Sequence, residues 1–183
     1  MCGFIGFSGN LDNKEAILQK MMDRIVHRGP DMGGMYTDDG IALGFRRLSI
    51  LDLSDAGAQP MANEDKSVVV VFNGEIYNFM ELRRELEAKG HTFHCGADTE
   101  VLIHGYEEYG TELIYRLRGM FAFVLWDAKN KRMFGARDIF GIKPFYYYPS
   151  RTARGWCSAA RSRPFSSIPN SSRPSTRMRC API

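Results

Sequence analysis

A cysteine at position 2, directly behind Met1, is placed to do chemistry. Removal of Met1 before so small a side chain is expected, and it would leave Cys2 with a free α-amine beside its own thiol. The amine titrates near ~7.7–8.0 and the thiol near ~8.5, so an amine largely neutral at about pH 8 can take the thiol proton, directly or through water. One residue then supplies nucleophile and base, the logic of an N-terminal Thr activated by its own amine. Position alone does not separate this reading from a small cysteine at the start of a buried strand. Cys95, Cys157 and Cys180 make no C-x-x-C pair, so no zinc site is expected of the cysteines. His27, His91, His94 and His104 have no metal-ligand spacing, and ordinary surface or core roles are expected of them. Asn73-Gly74 follows an apolar run and, in isolation, reads as a hairpin turn.

The elements that must position these residues follow from periodicity. Residues 2–8 read as a short buried strand ended by Gly9-Asn10. Residues 13–26 carry Ile17, Met21, Met22 and Ile25 at helical spacing, with Asp12 as a candidate cap. Arg28-Gly29-Pro30-Asp31 reads as a turn and Gly33-Gly34 as an extension of the break. Strands are expected at 40–45 and 67–72, a helix at 78–89 stopped by Gly90, and a second helix capped by Asp98 and running through Tyr109. Three consecutive strands are expected at 119–126, 131–137 and 143–148, the first two joined by a turn at 127–130. Helices amid many strands, without a βαβ rhythm, point to an α+β fold.

The length suits one domain. No apolar run approaches the ~20 residues of a membrane helix, and the N-terminus lacks the basic region of a signal peptide. No disulfide framework, no membrane partner and a cytoplasmic location are therefore the default expectations. The net charge of +3 is misleading. The last 35 residues hold seven of the 24 basic residues and none of the 21 acidic ones, so residues 1–148 are net acidic. Nucleic acid is not an expected partner of that part. The same 35 residues hold eight Ser and five of the eight Pro, a composition that reads as disordered.

Taken together, seven segments carry a resemblance. Cys2-Gly3-Phe4-Ile5-Gly6 resembles the opening of the class II, N-terminal-nucleophile amidotransferases. Arg28-Gly29-Pro30-Asp31, Arg47-Leu48-Ser49-Ile50, Phe72-Asn73-Gly74-Glu75-Ile76-Tyr77-Asn78, Asp98-Thr99-Glu100, residues 117–123 and residues 137–144 resemble the glutamine-hydrolysing asparagine synthetase branch of that family, in order and spacing. The resemblance covers residues 2–148. It implies a four-layer αββα sandwich, expected to be incomplete at the C-terminus. It also implies glutamine hydrolysis through a Cys2 thioester. Asn73 and Gly74 would be the oxyanion donors and Arg47 the clamp on the substrate α-carboxylate. Asp98 would receive the α-ammonium, Glu75 would line the pocket, and Ile50 and Leu51 would offer backbone contacts. Arg46, one residue from the clamp, would face the other way along the strand. Arg28 and Asp31 would shape the loop near Cys2.

Residues 149–183 do not resemble the family in their own frame. Residues 158–165 can be encoded so that a frame starting two letters later reads Gly-Ser-Glu-Ile-Lys-Ala-Leu, and residues 175–183 so that it reads Asn-Glu-Asp-Ala-Leu-Arg-Pro-Tyr. Both are family-type segments, so a frameshift between about residues 147 and 155 is expected, with residues 149–183 as a disordered tail. No Ser-Gly-Gly-Leu-Asp-Ser-type loop for pyrophosphate is present. The expectation is a truncated chain limited to the glutaminase half-reaction, with no cofactor or metal of its own. ATP and magnesium would belong to the missing synthetase domain, and a homodimer to the full-length family. Two alternatives stay open: a non-catalytic remnant, and the glutaminase domain of another class II amidotransferase.

Overall fold

The structure, a computed structural model, describes residues 2–9, 11–48, 57–149 and 154–157, with the backbone alone at 148, 149 and 154–157. The chain divides into two compact units, Met1–Leu53 with Pro144–Ile183, and Ser54–Lys143. Each is built on one antiparallel sheet, as the α+β expectation requires.

The first unit contains β1 (Gly3–Ser8), α1 (Lys14–Asp23), β2 (Met32–Asp38) and β3 (Ile41–Arg47). Its sheet order is β2-β3-β1-β9-β8, where β8 is Tyr146–Pro149 and β9 is Arg154–Cys157. One face is closed by α1, whose Leu18, Met21 and Met22 pack with Ile5, Phe7 and Ala42. Fully burying each such large apolar side chain contributes about 1.5–3 kcal/mol. Among the described residues no helix lies on the opposite face, yet Phe4, Leu43 and Phe45 on it are buried as well.

The second unit contains β4 (Met61–Ala62), β5 (Val68–Ile76), α2 (Phe79–Ala88), α3 (Glu100–Tyr109), β6 (Gly119–Asp127) and β7 (Arg132–Arg137), with sheet order β4-β5-β6-β7. Val68, Val70, Phe72 and Ile76 of β5 meet Leu82 and Leu86 of α2 and Val101, Leu102 and Ile103 of α3. The intervening residues Val69, Val71 and Asn73 point to the other face and are also buried. In each unit one face of the sheet is covered by helix, and apolar residues on the other face are buried as well.

Several expectations are corrected by pairing. Asn73-Gly74 is not a hairpin turn; β5 runs through it, with Asn73 opposite Ala122 and Gly74 opposite Phe121. Gly33-Gly34 is not a break but lies within β2, held by β3 at Arg46 and Phe45. The third expected strand is present as β8, Tyr146–Pro149, and pairs with β9 in the first unit's sheet. The α1 N-cap is Asn13, with no side-chain cap bond, rather than Asp12. The helix α3 begins after Thr99, one residue past Asp98. Arg154–Cys157, inside the segment whose composition reads as disordered, forms β9 between β1 and β8. Composition averages over tens of residues and cannot see a four-residue strand held by two neighbours. The turn after β6 is as expected, closed by the Asn130 amide donating to Asp127 Oδ1 at 2.9 Å.

Candidate active site

In the first unit, Cys2 sits half-buried just before β1. Its sulfur is anchored to the chain leaving β3: the Leu48 N–H approaches Sγ at 3.5 Å and the thiol lies 3.8 Å from the Leu48 carbonyl. The Arg28 guanidinium donates to the Cys2 carbonyl at 3.0 Å. Asp31 N–H donates to the Arg47 carbonyl at 3.2 Å. The Arg28–Asp31 turn is therefore stitched both to Cys2 and to the end of β3. Gly29 lies so close to β3 that an added Cβ would stand 2.4 Å from the Arg46 carbonyl carbon, so only glycine fits there.

The register decides between the two adjacent arginines. Gly3 pairs with Arg46, and Ile5 with Gly44, on the α1 face. There Arg46 reaches Asp23 of α1 at 3.4 Å. Strand alternation turns Arg47 to the opposite face, where its Nη1 lies 4.0 Å from Met32 Sδ. One further step along the β1–β3 register from Gly3 and Arg46 come Cys2 and Arg47.

In the second unit, parity along β5 aims the polar groups. Val68 N–H donates to Asn63 Oδ1 at 2.9 Å, Phe72 N–H to Gln59 Oε1 at 2.6 Å, and Ile76 N–H to Asp98 Oδ2 at 2.8 Å. These even-numbered amides all point away from β6, whereas Tyr77 N–H donates to Arg118 across the ladder. The Gly74 N–H shares their direction. It is aimed at the edge of β5 beyond its two-residue pairing with β4, between the sites taken by Gln59 and Asp98, where among the described residues no strand pairs with it. The Asn73 side chain stands on the face opposite α2 and α3, at 3% exposure. An edge amide and a neighbouring carboxamide are what an oxyanion requires.

Gly74 has a second constraint. A Cβ there would meet the Met120 carbonyl oxygen at 2.2 Å and Phe121 Cα at 2.7 Å. Gly74→Ala is expected to destabilise the fold by ~1–3 kcal/mol through overpacking against β6, visible as a lowered urea midpoint.

Asp98 joins β5 to the start of α3. Burial pushes its carboxyl up to about 6, and the nearby Glu75 charge pushes the same way; the amides of Ile76, Asp98 and Thr99 hold it back. Glu75 itself is exposed, opposite Met120. Ile50 and Leu51 lie outside the described residues. Cys95 is half-buried, its thiol donating to Glu100 Oε2 at 3.1 Å, and burial raises its pKa, which keeps it protonated. Cys2 and Arg47 belong to one unit, and Asn73, Gly74, Glu75 and Asp98 to the other.

Comparison with known proteins gives this arrangement a class. The sequence profile of the glutamine amidotransferase domain matches residues 1–166, past the boundary expected at 148. The chain belongs to that family. Among curated relatives, it is similar to asparagine synthetase [glutamine-hydrolyzing] 1 of Bacillus subtilis, 49% identical over 152 residues that cover 80% of this chain and 24% of the relative. It is also similar to asparagine synthetase [glutamine-hydrolyzing] 2 of Arabidopsis thaliana, 46% identical over 149 residues, covering 80% of this chain and 25% of the relative. The chain thus spans about a quarter of the length of these relatives. Among solved structures, the glutamine phosphoribosylpyrophosphate amidotransferase of B. subtilis shares the fold, with a TM-score of 0.74 and 21% identity, covering 91% of this chain and 43% of that one. Among the described residues, no helix is long and apolar enough to cross a membrane.

Proposed function

We propose that this domain hydrolyses the side-chain amide of glutamine to glutamate and ammonia, with Cys2 as nucleophile. After Met1 is removed, the α-amine of Cys2 takes the thiol proton. The thiolate attacks the amide carbon, and the carbonyl oxygen becomes an oxyanion received by the Asn73 amide and the Gly74 N–H. The C–N bond breaks, ammonia leaves with the proton held by the α-amine, and a thioester remains. Water, giving a proton back to the amine, hydrolyses the thioester to glutamate and frees the thiol.

The observation that carries this reading is the placement of Asn73-Gly74 inside β5, with the Gly74 amide directed away from β6 and past the two residues that β4 pairs. A hairpin turn would have used these groups to close itself. Arg47, turned away from the Asp23 ion pair that occupies Arg46, is proposed to hold the substrate α-carboxylate as a fork. Asp98 is proposed to receive the α-ammonium beside Glu75, and Ile50 and Leu51 to supply backbone contacts. The asparagine synthetase relatives suggest aspartate as the ammonia acceptor in a longer protein, with ATP and magnesium used there and not in this domain. The experiment is glutamine turnover followed as glutamate and ammonia together. Equal amounts of both are expected from chains beginning at Cys2, and none from chains retaining Met1; equal activity of the two forms would reject the α-amine as base.

The raised pKa of Asp98 sets a pH dependence. Only the ionised carboxylate attracts an ammonium, so the KM for glutamine is expected to rise as pH falls below about 6, approaching ~tenfold per pH unit. Asp98→Asn is expected to hold KM high and remove that dependence. The linkage to stability runs the other way. Between the ordinary carboxylate value of 3.8 and about 6 the folded state binds more protons than the unfolded one, so Asp98 makes the fold less stable as pH rises through that window.

A further inference from the structure

Three polar side chains in the helical layer of the second unit converge without a part in glutamine chemistry. His91 follows the end of α2, where its N–H donates to the Leu86 carbonyl at 3.1 Å and fixes the backbone. His104 and Glu107 lie three residues apart on α3, one above the other on the same face. One nitrogen of each ring and one Glu107 oxygen lie within 4.8 Å of one another. Glu107 Oε2 is 2.9 Å from His104 Nδ1 and 3.6 Å from His91 Nδ1. Atoms bound at ~2.0–2.1 Å to one zinc ion stand roughly 2.9 Å apart at ~90° and roughly 3.6 Å apart at ~120°. Both separations suit a distorted tetrahedron, and the two ring nitrogens, within 4.8 Å of each other, close to roughly 3.6 Å or less as the ion draws the rings in.

The surrounding groups match what a bound metal asks of its second layer. Each imidazole presents Nδ1 to the shared Glu107 oxygen and Nε2 toward a further carboxylate. His91 Nε2 is 3.5 Å from Glu108 Oε2, and His104 Nε2 is 3.8 Å from Glu100 Oε1. The second Glu107 oxygen accepts from Asn63 Nδ2 at 2.7 Å, which fixes the carboxylate plane. The two rings lean together at 5.1 Å between centroids, and the edge of Phe93 packs against His104 at 4.7 Å. His104 is 2% exposed. His91 and Glu107 remain partly exposed, which leaves solvent access for an ion and its water, and Glu107 also borders an open cavity of about 340 Å³ shared with Ser67 and Asp127. Oriented second-layer carboxylates and a two-His, one-carboxylate set with an open fourth position are features of zinc-type sites.

We propose that His91, His104 and Glu107 form a binding site for a divalent transition metal of the zinc type, with water as fourth ligand. The ion binds the deprotonated ring nitrogens and the carboxylate, so binding competes with protons and tightens with rising pH. The α2–α3 pair and the 91–93 connection are tied together by it, independently of whether the domain hydrolyses glutamine.

The test uses the full chain carrying Cys2→Ala, which removes the N-terminal amine–thiol chelate. Calorimetry with zinc at neutral pH is expected to show one equivalent bound and a rise in melting temperature. Cobalt(II) in its place is expected to give a tetrahedral d–d spectrum without a sulfur-to-cobalt charge-transfer band. His91→Ala is expected to weaken zinc at least ~100-fold, and Glu108→Gln about tenfold. Should His91→Ala fail to fold, Glu108→Gln on the exposed rim decides. No stoichiometric zinc uptake, a sulfur-to-cobalt band, or affinity unchanged by these substitutions would overturn the proposal.

Discussion

Cys2→Ala is expected to reduce ammonia release from glutamine by on the order of 10⁴–10⁶-fold, to the background of the assay. The Cys2 sulfur is the only protein atom in the proposed scheme that forms a bond to the substrate, so no neighbouring group can take its place. The fold should be unaffected. The sulfur is held by a long contact to the Leu48 amide and a weaker one to its carbonyl, at 3.5 and 3.8 Å, and losing these costs little beside the backbone pairing of β1 with β3. A Cys2→Ala chain with unchanged urea midpoint and full glutaminase rate would remove Cys2 from the mechanism. Cys95, the other cysteine whose side chain is described, offers no rescue, since burial raises its pKa and its S–H stays engaged as a hydrogen-bond donor to Glu100.

Asn73→Ala is expected to lower kcat for glutamine by about 10²–10³-fold, corresponding to ~2.7–4 kcal/mol of lost transition-state stabilisation, with KM changed far less. The split follows from timing. The carboxamide meets full negative charge only in the tetrahedral state, whereas the ground-state carbonyl asks little of it. Comparison with Gly74→Ala separates the two donors. At Gly74 the added methyl meets β6 backbone, so stability and activity should fall together, while Asn73→Ala should lose activity with a small change in melting temperature. Steady-state kinetics beside urea unfolding of both variants reads the difference. Equal kcat for Asn73→Ala and the parent chain would exclude the side chain as an oxyanion donor.

How much of this was legible depended on how local the determining physics is. The helices α1, α2 and α3 and the strands β1, β3, β6 and β7 follow from apolar period and punctuation, because one buried face sets each pattern. Asn73-Gly74 misleads by the same local rule. The dipeptide suits a tight turn, but nine-residue pairing of β5 with β6 overrides the preference. Gly33-Gly34 in β2 is the same case, with β3 supplying the partner. The third expected strand joins the other sheet because pairing partners are chosen by the whole fold and not by sequence order.

The candidate site rests on joint resemblance rather than on any single residue, since Arg47, Glu75 and Asp98 each have an ordinary surface or capping reading alone. What the sequence could not convey is direction. That Arg46 meets Asp23 while Arg47 turns away, and that the Gly74 amide points past the two residues that β4 pairs, depend on register and on the shortness of β4. The raised pKa of Asp98 is likewise a product of burial at the junction of β5 and α3. The His91–His104–Glu107 cluster escaped notice for a similar reason. Its only sequence signal is the three-residue step on α3, and His91 arrives there through the packing of α2 against α3.

The most direct measurement is intact-mass and peptide mapping of the chain after reaction with a glutamine analogue bearing an electrophilic carbon in place of the amide. A single adduct is expected on the sulfur of Cys2, in chains whose first residue is Cys2, with glutaminase activity lost in proportion to labelling and protected by glutamine. Labelling of Cys95 instead, or full loss of activity with Cys2 unmodified, would contradict the mechanism.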